Sequence, residues 1–543
     1  MTPDYPTFLR HWNAGKNQTL STSIVSDLET PVSAMLKLGQ GKPFSFLFES
    51  IEGGEVRGRY SIIGREPDVI WRCARGGKAE INRDALHNAE NFTPCARAPM
   101  DDLRALLSEC QIDDPDQPQP MAAGLFGYLG YDMVRYMEKL PDDKPVGVDV
   151  PEAIMIRPTL LAIFDQIENK FTLVTPIWFD KNASPKTVYD AAQERLQRAL
   201  ADLHKPLPHQ TTAHAPSYRR MPVSSASGSE HINPTIAQTE TPPLLRAADA
   251  AQLDTGIRRY DEPLCVSNMT ESAYVAMVEK AKDYIRAGDI FQVVLSQRFT
   301  LPFTLPPFAL YRAVRRTDPS PFLFFFDFGT FSVVGASPEI LVRVRDGKVT
   351  IRPIAGTRPR NLGNRSDEEL KEELLADPKE LAEHLMLLDL GRNDVGRVAQ
   401  MGTVKVTARN TIEYYKHVMH IVSNVEGDLN PKYDALDALQ SGFPAGTVSG
   451  APKIRAMEII AEQEPDRRGV YAGCIGYFGA NGSMDTAIAI RTAVIKDGQM
   501  YVQAGGGIVY DSDPQAEFRE TQAKARGMIR AAEAATAFCD LKQ

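Results

Sequence analysis

Two stretches of this chain repeat one device: a pair of glutamates three residues apart, set just behind an Asp-Pro dipeptide. The first is Asp377-Pro378-Lys379-Glu380-Leu381-Ala382-Glu383, the second Asp513-Pro514-Gln515-Ala516-Glu517-Phe518-Arg519-Glu520. Asp caps a helix through its carboxylate and Pro fits the first helical position, so both stretches predict helix starts. A spacing of three sets both carboxylates of a pair on one helical face. If the two helices face each other, four carboxylates converge. That is repulsive unless a cation sits among them, and hard oxygen ligands suit Mg²⁺. The positive ends of two helix dipoles would help to keep these acids ionised. Taken singly, either pair reads as a solvated helix start; the repetition is what brings a metal into question.

Other segments carry chemistry with a second reading open beside it. Gln503-Ala504-Gly505-Gly506-Gly507-Ile508 could turn successive backbone N–H groups toward an anion, or could be a hairpin turn. It lacks the G-x-G-x-x-G spacing of a dinucleotide site. Arg352 to Arg360 is basic and turn-rich; it is either a surface loop or a place where Gly356 N–H and the Thr357 hydroxyl meet a carboxylate. Arg491, in Ala487-Ile488-Ala489-Ile490-Arg491, is a charge among apolar neighbours and needs a carboxylate, from the protein or from a ligand. His420 opens an apparent strand and is either a hydrogen-bonded core residue or a base. Glu339 ends a strongly apolar run, where desolvation would raise its pKa toward that of a general acid; a plain strand-end acid is the other reading.

These groups need a frame. Residues 20–203 alternate strand-like runs (Phe44 to Glu49, Ala153 to Phe164, Lys170 to Pro176) with turns and end in a helical run, Pro185 to Leu203. From 204 to 255, seven prolines punctuate Ser, Thr, Ala and His with little apolar periodicity, the texture of a linker or surface excursion. Residues 268–535 form the segment richest in signals. A helix is expected from Met269-Thr270-Glu271 to Ala287, closed by Gly288. Strands follow at Phe291 to Leu301 and Phe322 to Val334. Further helices are expected over Glu369 to Gly391, Tyr433 to Leu439, Lys453 to Glu462 and Gln515 to Ala535. Between them lie strands at Val404 to Val406, His420 to Glu426, Gly473 to Gly479, Ala487 to Ile495 and Gln499 to Ala504. Long helices mixed with hairpin-like strands predict an α+β fold with largely antiparallel sheets flanked by helices.

The gross numbers agree with that frame. At 543 residues the chain exceeds one compact core. It is 43% hydrophobic, and 61 basic against 70 acidic residues leave a net charge of −9. That charge offers nucleic acid or an anionic membrane no attraction, so neither is expected as a partner. The most apolar stretch, Pro321 to Ala336, falls short of the ~20 residues of a membrane helix. The first twenty residues show no secretory signal, so a cytoplasmic location is expected. The six cysteines are scattered, with no C-x-x-C pair and no metal or disulfide framework.

Together these residues resemble the chorismate-utilising enzymes, and within them anthranilate synthase component I. The resemblance runs from Phe46-Leu47-Phe48-Glu49-Ser50 and Arg57-Gly58-Arg59-Tyr60-Ser61 to Glu520. Its strongest pieces are Asp289 to Gln297, Pro353-Ile354-Ala355-Gly356-Thr357-Arg358-Pro359-Arg360, Glu383 to Asp394, Phe443 to Lys453 and the triple glycine. It implies two interleaved domains, a regulatory 20–203 and a chorismate-binding 268–535, and amination of chorismate to anthranilate with release of pyruvate. Isochorismate and salicylate synthases place a water-activating lysine where this chain has Gln292, and aminodeoxychorismate synthases typically a nucleophilic lysine where it has Ala355. Both sister activities are therefore disfavoured. A silent tryptophan-sensing module would be expected to have lost acids or His420, and all are present.

The resemblance also implies roles. Glu383 and Glu520 would ligate Mg²⁺, with Glu380 and Glu517 supporting through water. Gly356, Thr357, Gly505, Gly506 and Gly507 would donate to chorismate oxygens, and Tyr471 and Arg491 would grip a carboxylate. Glu339 would protonate the departing hydroxyl and His420 would take the ring proton. Inhibitory L-tryptophan would bind near Ser50, Pro321, Phe322 and Leu323, where Phe48 stands in place of a commoner leucine. No cysteine has the Gly-rich elbow of a glutaminase, so ammonia is expected from a separate glutamine amidotransferase subunit, component II.

Overall fold

The computed structural model describes residues 1–39, 41–52, 56–113, 121–207, 265–318, 320–360, 365–415 and 418–539, with 50–52 and 56–58 described through their backbone. Of the proline-rich 204–255 stretch only 204–207 are described; the rest lies outside.

Every strand ladder among the described residues is antiparallel, and helices flank the sheet, as an α+β reading requires. In the first third, the strands Ser45–Glu52, Val56–Ala74, Ala153–Asp165, Lys170–Ile177 and Gln18–Val25 pair in that order. Ala153–Asp165 is buried along its whole length, which explains its largely apolar composition. Helix Tyr5–Asn13 lies ahead of residue 20 and packs Phe8 on Tyr189 of helix Pro185–Leu203, ring centroids 5.0 Å apart.

This sheet does not close on itself. Ser45–Glu52 pairs on its other edge with Phe322–Asp327, so Phe322 stands opposite Ser50 and Leu323 opposite Glu49. Gly124–Leu129 pairs with Cys474–Gly479. Edge strands of the N-terminal part thus find their backbone partners some 270 to 350 residues downstream, which is what interleaving means physically: an unpaired edge is satisfied from the other half of the chain.

The expected elements of the C-terminal part are present with corrections. The run Phe322 to Val334 is a hairpin of two strands, Phe322–Asp327 and Ser332–Ser337, and the strand expected at Val404 to Val406 is the longer Lys405–Tyr414. Helix Glu369 to Gly391 is two helices, Asp367–Ala376 and Pro378–Gly396, because Asp377 takes an extended backbone and caps the second. The expected strand Ala487 to Ile495 is broken into Met484–Ile488 and Thr492–Lys496, with Arg491 in the left-handed region between them at φ 49°. The last strand does not stop at Ala504: Gln499–Ile508 runs through the three glycines. Helix Glu271–Ala287 ends on Gly288 at φ 84°, as the C-cap rule predicts. Among the described residues no helix is long and apolar enough to cross a membrane.

Candidate active site

Both acid pairs open helices, as their spacing predicts. Asp377 accepts from the N–H groups of Lys379 and Glu380, Asp513 from that of Ala516, and a proline follows each cap. The two helices, Pro378–Gly396 and Pro514–Ala534, bring their first turns to the glycine run. A Cβ on Gly506 would stand 2.8 Å from Glu517 Oε2, and one on Gly507 would stand 2.5 Å from Gln292 Nε2. That amide donates in turn to Glu383 Oε1 at 3.4 Å. A Cβ on Gly356 would already touch a neighbour at 3.0 Å, with Glu380 Oε2 at 3.3 Å. Glycine at 506 and 507 leaves the ends of the Glu517 and Gln292 side chains in place, where a Cβ would displace them.

The glycines do not form a turn. Gly505, Gly506 and Gly507 pair in register with Ser296, Leu295 and Val294 of strand Gln292–Pro302. On the other edge, strand Thr492–Lys496 reaches only to Val502, which leaves the glycine edge without a ladder partner there. The donors expected of a nest are instead those of an open strand edge.

The four carboxylates share this cleft without closing a cage. Among the described residues no three Asp, Glu, His or Cys side chains stand close enough together to enclose a metal. Unscreened carboxylates repel, and two of these four are paired with cations: Arg358 Nη1 holds Glu380 at 2.9 Å and Lys524 Nζ holds Glu520 at 2.7 Å. The dipole expectation is also corrected. Burial pushes the carboxyls of Glu383 and Glu517 up from the ordinary range, and the neighbouring Glu380 and Glu520 add to it. Glu517 Oε2 is buried with no hydrogen-bond partner, a hard oxygen left for a cation to complete. Mg²⁺ needs no protein cage, since it keeps several waters and takes one or two carboxylates plus substrate oxygens. The donor set fits that ion.

Beyond the glycine edge lies a cavity of about 170 Å³ lined by Glu339, Thr357, His420, Tyr471, Arg491, Gly505 and Lys524. His420 Nδ1 lies 3.2 Å from the Gly356 carbonyl oxygen and 3.0 Å from Thr357 Oγ1. A carbonyl can only accept, so a ring proton on Nδ1 is the one that suits it, and in that tautomer Nε2 keeps its lone pair. Burial, partly offset by that carbonyl, holds His420 below its ordinary 6.5. Glu339 shows the opposite shift: burial pushes it up, against the Thr447 hydroxyl that donates to Oε2 at 2.9 Å. The expected acid and base are thus a carboxyl driven toward its neutral form and an imidazole driven toward its own. Arg491 makes no ion pair with a described carboxylate, which leaves the ligand reading of its charge standing. Burial pushes the Tyr471 hydroxyl up to about 12, and the buried Arg468 stands 5.5 Å over its ring.

Two residues here were not singled out from the sequence. Lys524 joins the halves of the site, donating to the Gly505 carbonyl at 2.9 Å as well as to Glu520. The signal was its place four residues beyond Glu520, on the same helical face. Thr447 reaches Glu339 because Lys453 anchors its segment, bonding Asp394 at 2.9 Å and the Gly442 carbonyl at 3.2 Å.

The residues expected at a tryptophan site do not all share one cavity. A second cavity, of about 730 Å³, is lined by Phe48, Pro321 and Phe322 among others. Leu323 is not on it: it is 2% exposed and packs in the core on the opposite face, since successive strand residues alternate sides. Ser50 lies opposite Phe322 through its backbone.

The model of the chorismate binding enzyme family matches residues 61–530. Anthranilate synthase component 1 of Cereibacter sphaeroides is 51% identical across 98% of each chain, and that of Pseudomonas aeruginosa is 44% identical over 96% of this chain and 97% of its own. The chain belongs to the anthranilate synthase component 1 family of chorismate binding enzymes. As a member of that family it is an enzyme, an anthranilate synthase of the lyase class. Component I from Streptococcus pneumoniae superposes with a TM-score of 0.70 at 35% identity, covering 93% of this chain and 99% of its own. MenF, the menaquinone-specific isochorismate synthase of Escherichia coli, shares the fold at a TM-score of 0.64 and 20% identity, over 97% of this chain and 98% of its own.

Proposed function

We propose that this chain is the aminating subunit of a cytoplasmic anthranilate synthase that opens tryptophan biosynthesis. It converts chorismate and ammonia to anthranilate and pyruvate, with ammonia supplied from glutamine by a separate amidotransferase subunit. The observation that carries this reading is the pairing, across one small cavity, of the Glu339 carboxyl, which burial pushes up, with the His420 imidazole, whose Nδ1 lies against the Gly356 carbonyl.

Ammonia adds to the ring carbon beside the one bearing the carboxylate, the double bonds shift, and the ring hydroxyl leaves as water with the proton from Glu339. His420 Nε2 then takes the proton on the aminated carbon. Its electrons restore the ring double bond as the C–O bond to the enolpyruvyl group breaks, and pyruvate departs. Tyr471 and Arg491 hold a substrate carboxylate, and Gly356, Thr357 and the glycine edge orient its oxygens. Glu383 and Glu520, supported through water by Glu380 and Glu517, would hold Mg²⁺, which when bound would supply positive charge to offset the ring carboxylate. Gln292 and Ala355 favour ammonia over water or a protein amine: Gln292 is engaged with Glu383, and Ala355 offers no nucleophile. In the larger cavity, L-tryptophan at Pro321 and Phe322, near Ser50, acts as feedback inhibitor.

Chorismate, Mg²⁺ and ammonium without glutamine are expected to yield fluorescent anthranilate; an isochorismate or aminodeoxychorismate product would refute the reading. EDTA is expected to abolish turnover, and added Mg²⁺ to restore it; chelator-resistant rates would remove the metal. The pH profile has a worked sign. A base must be neutral to act, and His420 titrates below 6.5, so proton removal stays available at pH 6.5 and is lost only on further acidification. An acid limb of kcat lying above that value would contradict the assignment.

A further inference from the structure

The large cavity and the active-site cavity share a wall. Ile340 and Ala487 line the former; the next residues, Glu339 and Ile488, are joined by a hydrogen bond from Ile488 N to the Glu339 carbonyl at 3.0 Å. A second connection runs through side chains. Arg352 and Glu413 form an ion pair at the polar end of the large cavity and line it together. Glu413 Oε2 also accepts from the Tyr415 hydroxyl at 2.9 Å. The buried Tyr415 ring packs edge-on against His420, centroids 5.4 Å apart at 66°. Glu413 and His420 face each other in the register of strands Lys405–Tyr414 and Val418–Asp428. Arg352 is also two residues ahead of the strand Ile354–Pro359, whose Gly356 and Thr357 hold the imidazole from its other side.

We infer that Glu413 is a positioning residue for His420 and the link by which a ligand in the large cavity controls it. The inference rests on the reading of that cavity as an amino-acid site. Arg352 is bound by a carboxylate of the protein, and an amino-acid ligand brings a carboxylate of the same chemistry to the same cavity. The side chain of Arg352 is 31% exposed, so the incoming group can reach it. Once Arg352 turns to the ligand, Glu413 loses its counter-charge, the Tyr415 hydroxyl loses a fixed acceptor, and the ring against His420 is released. Arg352, Glu413 and Tyr415 do not line the substrate cavity and reach chorismate only through His420, so their effect falls on turnover rather than on substrate binding.

The test uses the full chain with ammonium as nitrogen source, comparing wild type, Glu413→Gln and Tyr415→Phe. Both variants are expected to lower kcat about tenfold with the KM for chorismate within about twofold. Tryptophan, titrated calorimetrically, is expected to bind both within about threefold of wild type, while its inhibition constant rises at least about tenfold above its Kd. Thermal melts report folding. If Glu413→Gln does not fold, Tyr415→Phe decides, since it removes one hydroxyl and keeps the ring on His420. Wild-type kcat in a folded variant, or inhibition that still tracks binding, overturns the inference. Failure of tryptophan to bind the wild type overturns the reading beneath it, and that result is seen before any variant is made.

Discussion

His420→Met is expected to stop anthranilate formation while chorismate continues to be consumed. The imidazole is the one group in the small cavity with a neutral nitrogen lone pair, because its other nitrogen is committed to the Gly356 carbonyl. General base catalysis is typically worth 10² to 10⁴, so a loss of about 10³-fold, roughly 4 kcal/mol, is expected in the elimination step. Methionine keeps the apolar volume against Tyr415 and leaves Glu339 untouched, so amination proceeds. The aminated, non-aromatic intermediate should therefore build up, visible by chromatography as a product without anthranilate fluorescence. Fluorescent product at the wild-type rate would strip His420 of its role.

Glu339→Gln is expected to fail one step earlier. Gln keeps the shape and can still accept from Thr447, so the substitution removes a proton and little else. The hydroxyl that ammonia must displace then leaves unprotonated, and chorismate consumption should fall about 10³-fold. The purified intermediate from His420→Met, added to Glu339→Gln, should still go to anthranilate, because elimination uses His420. If both substrates stall together, the two groups act as one unit. If neither stalls, the acid lies elsewhere.

The parts legible in advance were those governed by local rules. Asp-Pro followed by an i, i+3 glutamate pair is decided by capping and helical pitch, and both helices begin where those rules place them. Glu339 was readable because a carboxyl at the end of an apolar run is desolvated wherever that run packs. The misreadings concern partners far along the chain. The triple glycine was open to a turn because glycine's local freedom permits one. Strand Gln292–Pro302, two hundred residues earlier, pairs with it and keeps it extended. Leu323 looked equivalent to Phe322 in a uniformly apolar run, where alternation gives no sign of which face is the cavity.

The four acids show the same division between local and distant causes. Their number, type and helical face follow from spacing. Their cationic partners are not all local: Arg358 comes to Glu380 from a strand outside the acid helix, whereas Lys524 pairs with Glu520 along its own helix. Lys524 also owes its place in the site to a distant partner, the Gly505 carbonyl, to which it donates at 2.9 Å.

By itself the sequence determined the chemistry on hand: the acid helices, the candidate acid and base, the absent lysines at 292 and 355, and the family they resemble. Tertiary structure decided which of these groups meet, how open the acid cluster is, and that the adjacent residues Glu339 and Ile340 line two different cavities. The reason is physical. Helix caps and periodicity act over one turn of chain, whereas burial, ion pairing and strand pairing are settled by residues hundreds of positions apart.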